Sequence, residues 1–199
     1  MENIIPSRPG ELYAVDIYGP LPRSKYRNRY VLVVIDVFSK YVNVYPLTRP
    51  TAKNCLRVLK TGFFKLCGLP KKILSDHGTQ FTGSLWRREL TELGVGTVFS
   101  SIRHPQSNPS ERVMRELSRV FRTYCSEKHT EWLKLIPWIN VWFNEVAHES
   151  TGITPTEVHF GRKPNRCDDE HVQPAERAAM PHDHIIRLAA ENLVKAGRA

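Results

Sequence analysis

From Glu11 to Leu47 the chain alternates short apolar runs with turn residues, a rhythm that belongs to strands rather than helices. A strand is predicted over Glu11–Ile17, with Asp16 closing the apolar run Leu12-Tyr13-Ala14-Val15 and Gly19-Pro20-Leu21-Pro22 forming the turn that ends it. Arg23 to Arg29 is a basic loop, and the Val- and Ile-rich Tyr30–Phe38 is a buried strand. Tyr41–Leu47 is a third, with Val42, Val44 and Pro46 alternating against Tyr41, Asn43 and Tyr45. Three strands in succession predict an antiparallel meander.

The period then changes. After Thr51, a helix N-cap, Leu56, Leu59, Phe63 and Leu66 recur at helical spacing until Gly68-Leu69-Pro70. Lys72–Ser75 reads as a fourth strand, Ser84–Leu93 as a helix stopped by Gly94, and Val95–Ser100 as a fifth strand. A long helix follows from Asn108 to about Lys128, and another from Glu131 to about His148, kinked or broken at Pro137. Thr154-Pro155 opens a further helix, and Ile185–Lys195 is amphipathic. This order predicts an α/β fold, a mixed five-stranded sheet flanked by helices. The first and fourth strands can then lie side by side, which sets Asp16 next to Asp76.

The chain divides on this reading into a lead-in (1–10), a core (11–161), a Pro- and charge-rich linker (162–181) and a helical tail (182–199). Its 199 residues suit one well-packed domain, and 41% hydrophobic with 25% charged residues fits a soluble globular protein. No apolar run is long enough to span a membrane, so no membrane partner is expected, and the N-terminus lacks a signal-peptide pattern. Cys55, Cys67, Cys125 and Cys167 show no C-x-x-C spacing and read as reduced thiols of a nuclear or cytoplasmic protein. The first three fall in helices and read as small buried packing residues. His182 and His184 read as a solvated helix start rather than a metal site. The net charge of +9 and pI of about 9.6 favour a polyanionic partner, with a merely basic surface as the alternative.

Asp16 and Asp76 each end a strand, and Glu111 stands at the head of the long helix. Carboxylates placed so can converge and hold hard divalent cations, which take oxygen ligands. An acidic metal site on a basic protein points to phosphoryl transfer on nucleic acid. Along the helix, Val113, Leu117, Val120, Phe121 and Tyr124 share one face with Met114 at its edge, while Arg112, Arg115, Arg119 and Arg122 share the other. Arginine suits phosphate by charge and by its planar fork. The blander alternatives are a capping box, with Asn108 as N-cap, Pro109 at N1 and Glu111 at N3, and a solvated charged face. Trp132, Trp138 and Trp142 read as core aromatics, with a dimer interface as the alternative.

Several ordered segments resemble the catalytic core of retroviral and LTR-retrotransposon integrases, the gypsy type above all. Asp16-Ile17-Tyr18-Gly19-Pro20-Leu21-Pro22 and Asp36-Val37-Phe38-Ser39-Lys40-Tyr41 resemble the first catalytic segment, Ser75-Asp76-His77-Gly78-Thr79-Gln80-Phe81 the second, and His104-Pro105-Gln106 through Glu111-Arg112-Val113 the third. Asn144-Glu145, Thr154-Pro155 and Phe160-Gly161 match the closing pattern, so the resemblance runs from about Glu11 to Pro164. It implies an RNase H-like core whose D,D,E triad falls on Asp16, Asp76 and Glu111, with two magnesium ions, or manganese as substitute, held by those three. Asp36 lies outside the implied triad. Between Asp76 and Glu111 lie 34 residues, one fewer than the usual spacing, and Met114 stands where a polar Asn facing DNA is common.

The resemblance further implies 3′-end trimming and strand transfer of element DNA into target DNA, by a polynucleotidyl transferase with endonuclease activity that acts as a homodimer or higher multimer. Gln106, Ser107 and Asn108, with Arg112, Arg115, Arg119 and Arg122, are the residues expected to hold phosphates and the DNA end. A zinc-binding His/Cys module and a small β-barrel are not seen, and the chain reads as a core fragment or a host-captured remnant. The competing reading is a catalytically silent module that binds DNA or protein. A ribonuclease-H-like nuclease fits the arginine helix and the His104-Pro105-Gln106 loop less well.

Overall fold

A computed structural model of the protein describes residues 6–100, 110–127, 130–162 and 181–197. Five strands form one sheet: β1 (Leu12–Tyr18), β2 (Tyr30–Asp36), β3 (Val42–Leu47), β4 (Lys72–Ser75) and β5 (Gly96–Phe99), in the order β3-β2-β1-β4-β5. β1, β2 and β3 pair antiparallel, as the meander predicts, while β4 joins β1, and β5 joins β4, in parallel. The expected mixed sheet flanked by helices is therefore present, with the first and fourth strands adjacent.

Strand alternation sorts the core into two layers. Tyr13, Val15, Leu32, Val34 and Ile73 face the helical stretch α1 (Ala52–Val58), a π turn (Leu59–Phe63) and α2 (Phe64–Cys67), together with α3 (Thr79–Thr82) and α4 (Ser84–Glu92). Ala14, Val31, Val33, Ile35, Val42 and Val44 face α5 (Ser110–Glu127), a 3₁₀ turn (Trp132–Leu135) and α6 (Ile136–Glu145). Beyond them α7 (Pro155–Phe160) and α8 (His182–Ala196) pack Val158 against Ile185, Ala189 and Phe38. Thr51 and Thr154 cap α1 and α7, accepting from the backbone N–H of Asn54 and of Glu157.

Two expectations need correction, and of the kink or break expected at Pro137 the structure has the break. Leu66 is 48% exposed instead of sharing the core stripe with Leu59 and Phe63. The π turn inserts one residue into the helical count, so the register advances and Phe64 and Cys67 turn inward in its place. The single helix over 131–148 is a 3₁₀ turn followed by an α-helix that starts at Ile136 with Pro137 in its first turn, so the proline breaks rather than kinks. Of the three tryptophans, Trp132 is buried with its indole N–H donating to the Pro22 carbonyl at 2.8 Å, but Trp138 is 57% exposed and stacks flat on Trp142 with centroids 6.1 Å apart. α6 turns its Ile136–Ile139–Phe143 face to the sheet, which leaves Trp138 on the outer side.

Cys55 is buried in α1 and Cys67 partly buried at the end of α2, and burial pushes both thiols up to about 12. The side chain of Cys125, and Cys167 with most of the expected linker, lie outside the described residues. His182 and His184 stand at the exposed start of α8, His182 Nε2 3.0 Å from the Val158 carbonyl. Among the described residues no helix is long and apolar enough to cross a membrane.

Two polar devices hold the frame. Asp36, fully buried, accepts the backbone N–H groups of Gly10 (2.6 Å), Phe38 (2.9 Å) and Ser39 (3.1 Å), and lies 3.1 Å from His159 Nδ1. It ties the lead-in, the β2–β3 turn and α7 together. The second device covers the edge strand. The side-chain oxygens of Asn144 and Asn140 accept from the N–H of Val42 and Val44, both at 2.8 Å, and their amide groups donate back to the carbonyls of Val42 (2.6 Å) and Val44 (3.3 Å). Four residues of helix rise about 6.0 Å and two residues of strand about 6.6 Å, so one helix face can match one strand edge. The edge of β3 is thereby closed to a further strand.

Replacing Asn144 with Ala should leave the Val42 N–H and C=O without partners in a buried place, at about 2–4 kcal/mol. Urea unfolding checks this: the midpoint should fall with an unchanged slope, and an unchanged midpoint would contradict the edge-closing role.

Candidate active site

Parallel pairing of β1 with β4 places Val15 opposite Ser75. The residue after each is an aspartate, so Asp16 and Asp76 emerge together where the two strands end. Asp16 shares a face with Ala14 and Tyr18, the side covered by α5, and Tyr18 stacks on Phe121 of that helix at 5.5 Å. Asp36, paired opposite Tyr13, sits toward the other end of β1 and is fully occupied in structure.

Asp16 accepts from the backbone N–H of Ile17 at 2.8 Å and, through its other oxygen, from the Ser110 hydroxyl at 2.8 Å. Burial raises its pKa above the ordinary carboxylate value, opposed by those two hydrogen bonds and reinforced by the charge of Asp76. Asp76 accepts the N–H of Gly78 at 3.0 Å, which turns the chain into α3, and His77 stacks on Phe99 at 5.1 Å. Neither aspartate makes an ion pair among the described residues. Two neighbouring carboxylates raise each other's free energy, and a cation relieves both.

Ser110 is the residue that sequence reasoning missed. It is 1% exposed, opens α5 and fixes the foot of that helix against Asp16. Its only signal in the sequence is its place one residue before Glu111.

Glu111 stands at the start of α5 but is not gathered with the aspartates. Its side chain is 56% exposed and pairs with Arg115 at 3.1 Å. Among the described residues no three Asp, Glu, His or Cys side chains are close enough to hold an ion together. The arginine face is present: Arg112, Arg115, Arg119 and Arg122 are all exposed, and the first three pair with Glu149 (2.9 Å), Glu111 (3.1 Å) and Glu116 (3.2 Å). The opposite face buries Val113, Leu117 and Phe121 as the periodicity predicts. Gln106, Ser107 and Asn108, and with them the expected cap at Asn108 and Pro109, lie outside the described residues. A cleft of about 410 Å³ adjoins Asp16, lined by Ile17, Tyr18, Gly19, Pro20 and Met114. Gly19 has a positive φ of 128°, and a Cβ there would meet the Arg29 carbonyl at 2.7 Å, so this wall of the cleft requires glycine.

The match to the integrase core domain model covers residues 6–105, half of the chain and both aspartates. The chain belongs to the integrase core domain family. A Pro-Pol polyprotein of feline foamy virus is 30% identical over 159 residues, 78% of this chain but 13% of the polyprotein. A retrovirus-related Pol polyprotein from transposon 412 of Drosophila melanogaster is 28% identical over 152 residues, 76% of this chain and 12% of that one. The chain thus spans about an eighth of these relatives' length. The catalytic core domain of HTLV-2 integrase in complex with magnesium, in trimeric form, superposes with a TM-score of 0.62 at 17% identity, covering 76% of this chain and 97% of that one. The integrase fold, an RNase H-like sheet, is therefore this chain's fold.

The donor set of the integrase core fits a hard divalent cation. Asp16 and Asp76 offer carboxylate oxygens side by side, and Glu111 lies one residue from Ser110, which already touches Asp16. Its exposed pair with Arg115 is worth at most about 1 kcal/mol, so a rotamer change toward the aspartates is cheap.

Replacing Ser110 with Ala should move the Asp16 carboxyl midpoint further upward, since a bond that favours the charged form is lost. A carboxyl-carbon NMR titration of the two proteins measures it, and an equal midpoint in both would mean that the serine does not hold Asp16 in solution.

Proposed function

We propose that this integrase core carries out divalent-metal-dependent processing of element DNA 3′ ends and their strand transfer into target DNA. The observation that carries the reading is the juxtaposition of Asp16 and Asp76 at the ends of adjacent parallel strands, at the foot of α5. Asp16, Asp76 and Glu111 are the residues that would hold two magnesium ions. When bound, such a pair would lower the pKa of an attacking water or 3′-hydroxyl and neutralise charge on the departing oxygen.

The chain's own residues supply the rest. Ser110 holds Asp16 in one rotamer, so that one ligand is set before a metal arrives. Glu111 would have to leave Arg115 to hold a metal, which would free that guanidinium for a phosphate. Arg112, Arg119 and Arg122 extend the positive row along the helix, and Gln106, Ser107 and Asn108 are proposed to meet the DNA end. Met114 gives the Asp16 cleft an apolar wall, suited to base or sugar rather than phosphate. The polyprotein relatives support an element origin, and the HTLV-2 core supports magnesium and a multimeric assembly. A nuclear or cytoplasmic site of action fits the free thiols of Cys55, buried, and Cys67, partly buried.

One observation favours a second reading: Glu111 points to Arg115 and stands apart from the aspartates. A silent DNA-binding module would look like this permanently.

The test is a manganese-dependent strand-transfer and disintegration assay with a pre-cleaved, labelled DNA end, comparing the chain with Glu111→Gln. Activity should fall by about a thousandfold, the several kcal/mol expected for a lost metal ligand. Equal activity in the two proteins would remove Glu111 from the site, and DNA binding without turnover in either would support the silent module.

A further inference from the structure

Away from the aspartates, α5, α6 and the end of β2 enclose a cavity of about 290 Å³. Val42, Trp142 and Phe143 give it flat apolar walls, and Lys40, Arg112 and His148 stand in its lining. We infer that this cavity is a binding site for a small organic anion with a flat apolar body, such as an aromatic carboxylate.

The sign of the charge comes from the partners of these groups. Lys40 sits in the β2–β3 turn at a left-handed φ of 65°, and its ammonium donates to the Val37 carbonyl at 2.8 Å. It makes no ion pair among the described residues; burial lowers its pKa, opposed by the charge of Asp36, whose oxygens are already taken by backbone N–H groups and His159. A partly desolvated ammonium with one carbonyl partner retains donors for an anion. Among the described residues Arg112 pairs only with Glu149, whose side chain is 83% exposed, a contact that a better-placed anion can replace.

His148 adds a neutral donor. Its Nδ1 accepts the Ser150 N–H at 3.2 Å, which leaves the ring proton on Nε2. Burial, with the charges of Arg112 and Lys40, lowers its pKa to about 4, so near neutral pH it is uncharged. The one acid in the lining, Glu116, is engaged by Arg119 at 3.2 Å. Two cations and a donor around an aromatic slot therefore face one carboxylate that already has a partner. The volume is at the lower end for small-molecule sites and suits a fused bicyclic ring.

The experiment titrates the full chain with 2-naphthoate, 2-naphthalenemethanol and 2-naphthylmethylamine, which share a ring system and differ in charge. The readouts are calorimetry and the Trp142 indole N–H resonance. Naphthoate should saturate one site at least about tenfold more tightly than the alcohol, the difference expected for hydrogen bonds to a charged group, and the amine should be weakest. Lys40→Met should reduce naphthoate to the affinity of the alcohol while leaving the alcohol unchanged. Ala147→Trp, on the exposed rim, should abolish binding of both and keeps the test decisive if Lys40→Met does not fold. Equal affinity for acid and alcohol, or naphthoate binding undiminished by Ala147→Trp, would overturn the inference.

Discussion

The parallel register between β1 and β4 is the constraint on which the site depends. Side chains alternate along a strand, so a slip of one residue would turn Asp16 or Asp76 to the opposite face of the sheet. Opposing Val15 to Ser75 keeps both aspartates at the same end. The register is secured on both faces, by Tyr13, Val15 and Ile73 under α1 and α4, and by Ala14 and Leu74 under α5 and α6. An acidic pair whose members disfavour each other's charge can persist here because apolar packing on both sides fixes the strands that carry it.

A second constraint keeps that sheet from extending. β3 is an edge, and its outward N–H and C=O groups would accept a strand from another chain. Asn140 and Asn144 satisfy them from a helix, so α6 is fixed in rotation as well as position. That rotation decides which residues of α6 meet solvent. Trp138 and Val141 are left outside, while Trp142 and Phe143 close the cavity beside Lys40. At the same end of β2, Asp36 gathers the lead-in and His159 of α7 around one buried carboxylate. These three aspartates are thus divided by place: Asp36 is saturated with hydrogen bonds, whereas Asp16 borders the cleft and Asp76 follows the neighbouring strand end.

Much of this was legible in the sequence because strand period, helix period and turn residues agreed with one another. Lys72–Ser75 is a strand with those bounds, and the neighbouring aspartates follow from strand order alone. What was not legible has physical causes. Leu66 was misplaced because a π turn changes the period without changing composition. Trp138 was misread because hydrophobicity says nothing about which side of α6 two asparagines would claim. Ser110 escaped notice because a serine in a helix's first turn is ordinary, and only the tertiary approach of β1 gives its hydroxyl an aspartate to meet. The Glu111–Arg115 pair follows from i,i+4 spacing, and motif resemblance passes over it because it speaks of roles, not rotamers.

The same spacing explains how a basic helix can wait beside an acidic pair. Arg112 and Arg115 each hold an exposed carboxylate and Arg119 a half-buried one, so the helix carries its charge partly neutralised. Each such pair is worth at most about 1 kcal/mol, whereas a nucleic acid backbone that displaces them also releases its condensed counterions. On the proposed function, the exchange would be downhill near a polyanion and uphill away from one, and it would couple two events. Were Glu111 to leave Arg115, one guanidinium would become available to phosphate at the moment one carboxylate became available to a cation. Metal and DNA would then favour each other's binding through a single rotamer at the head of α5, with no movement of the sheet.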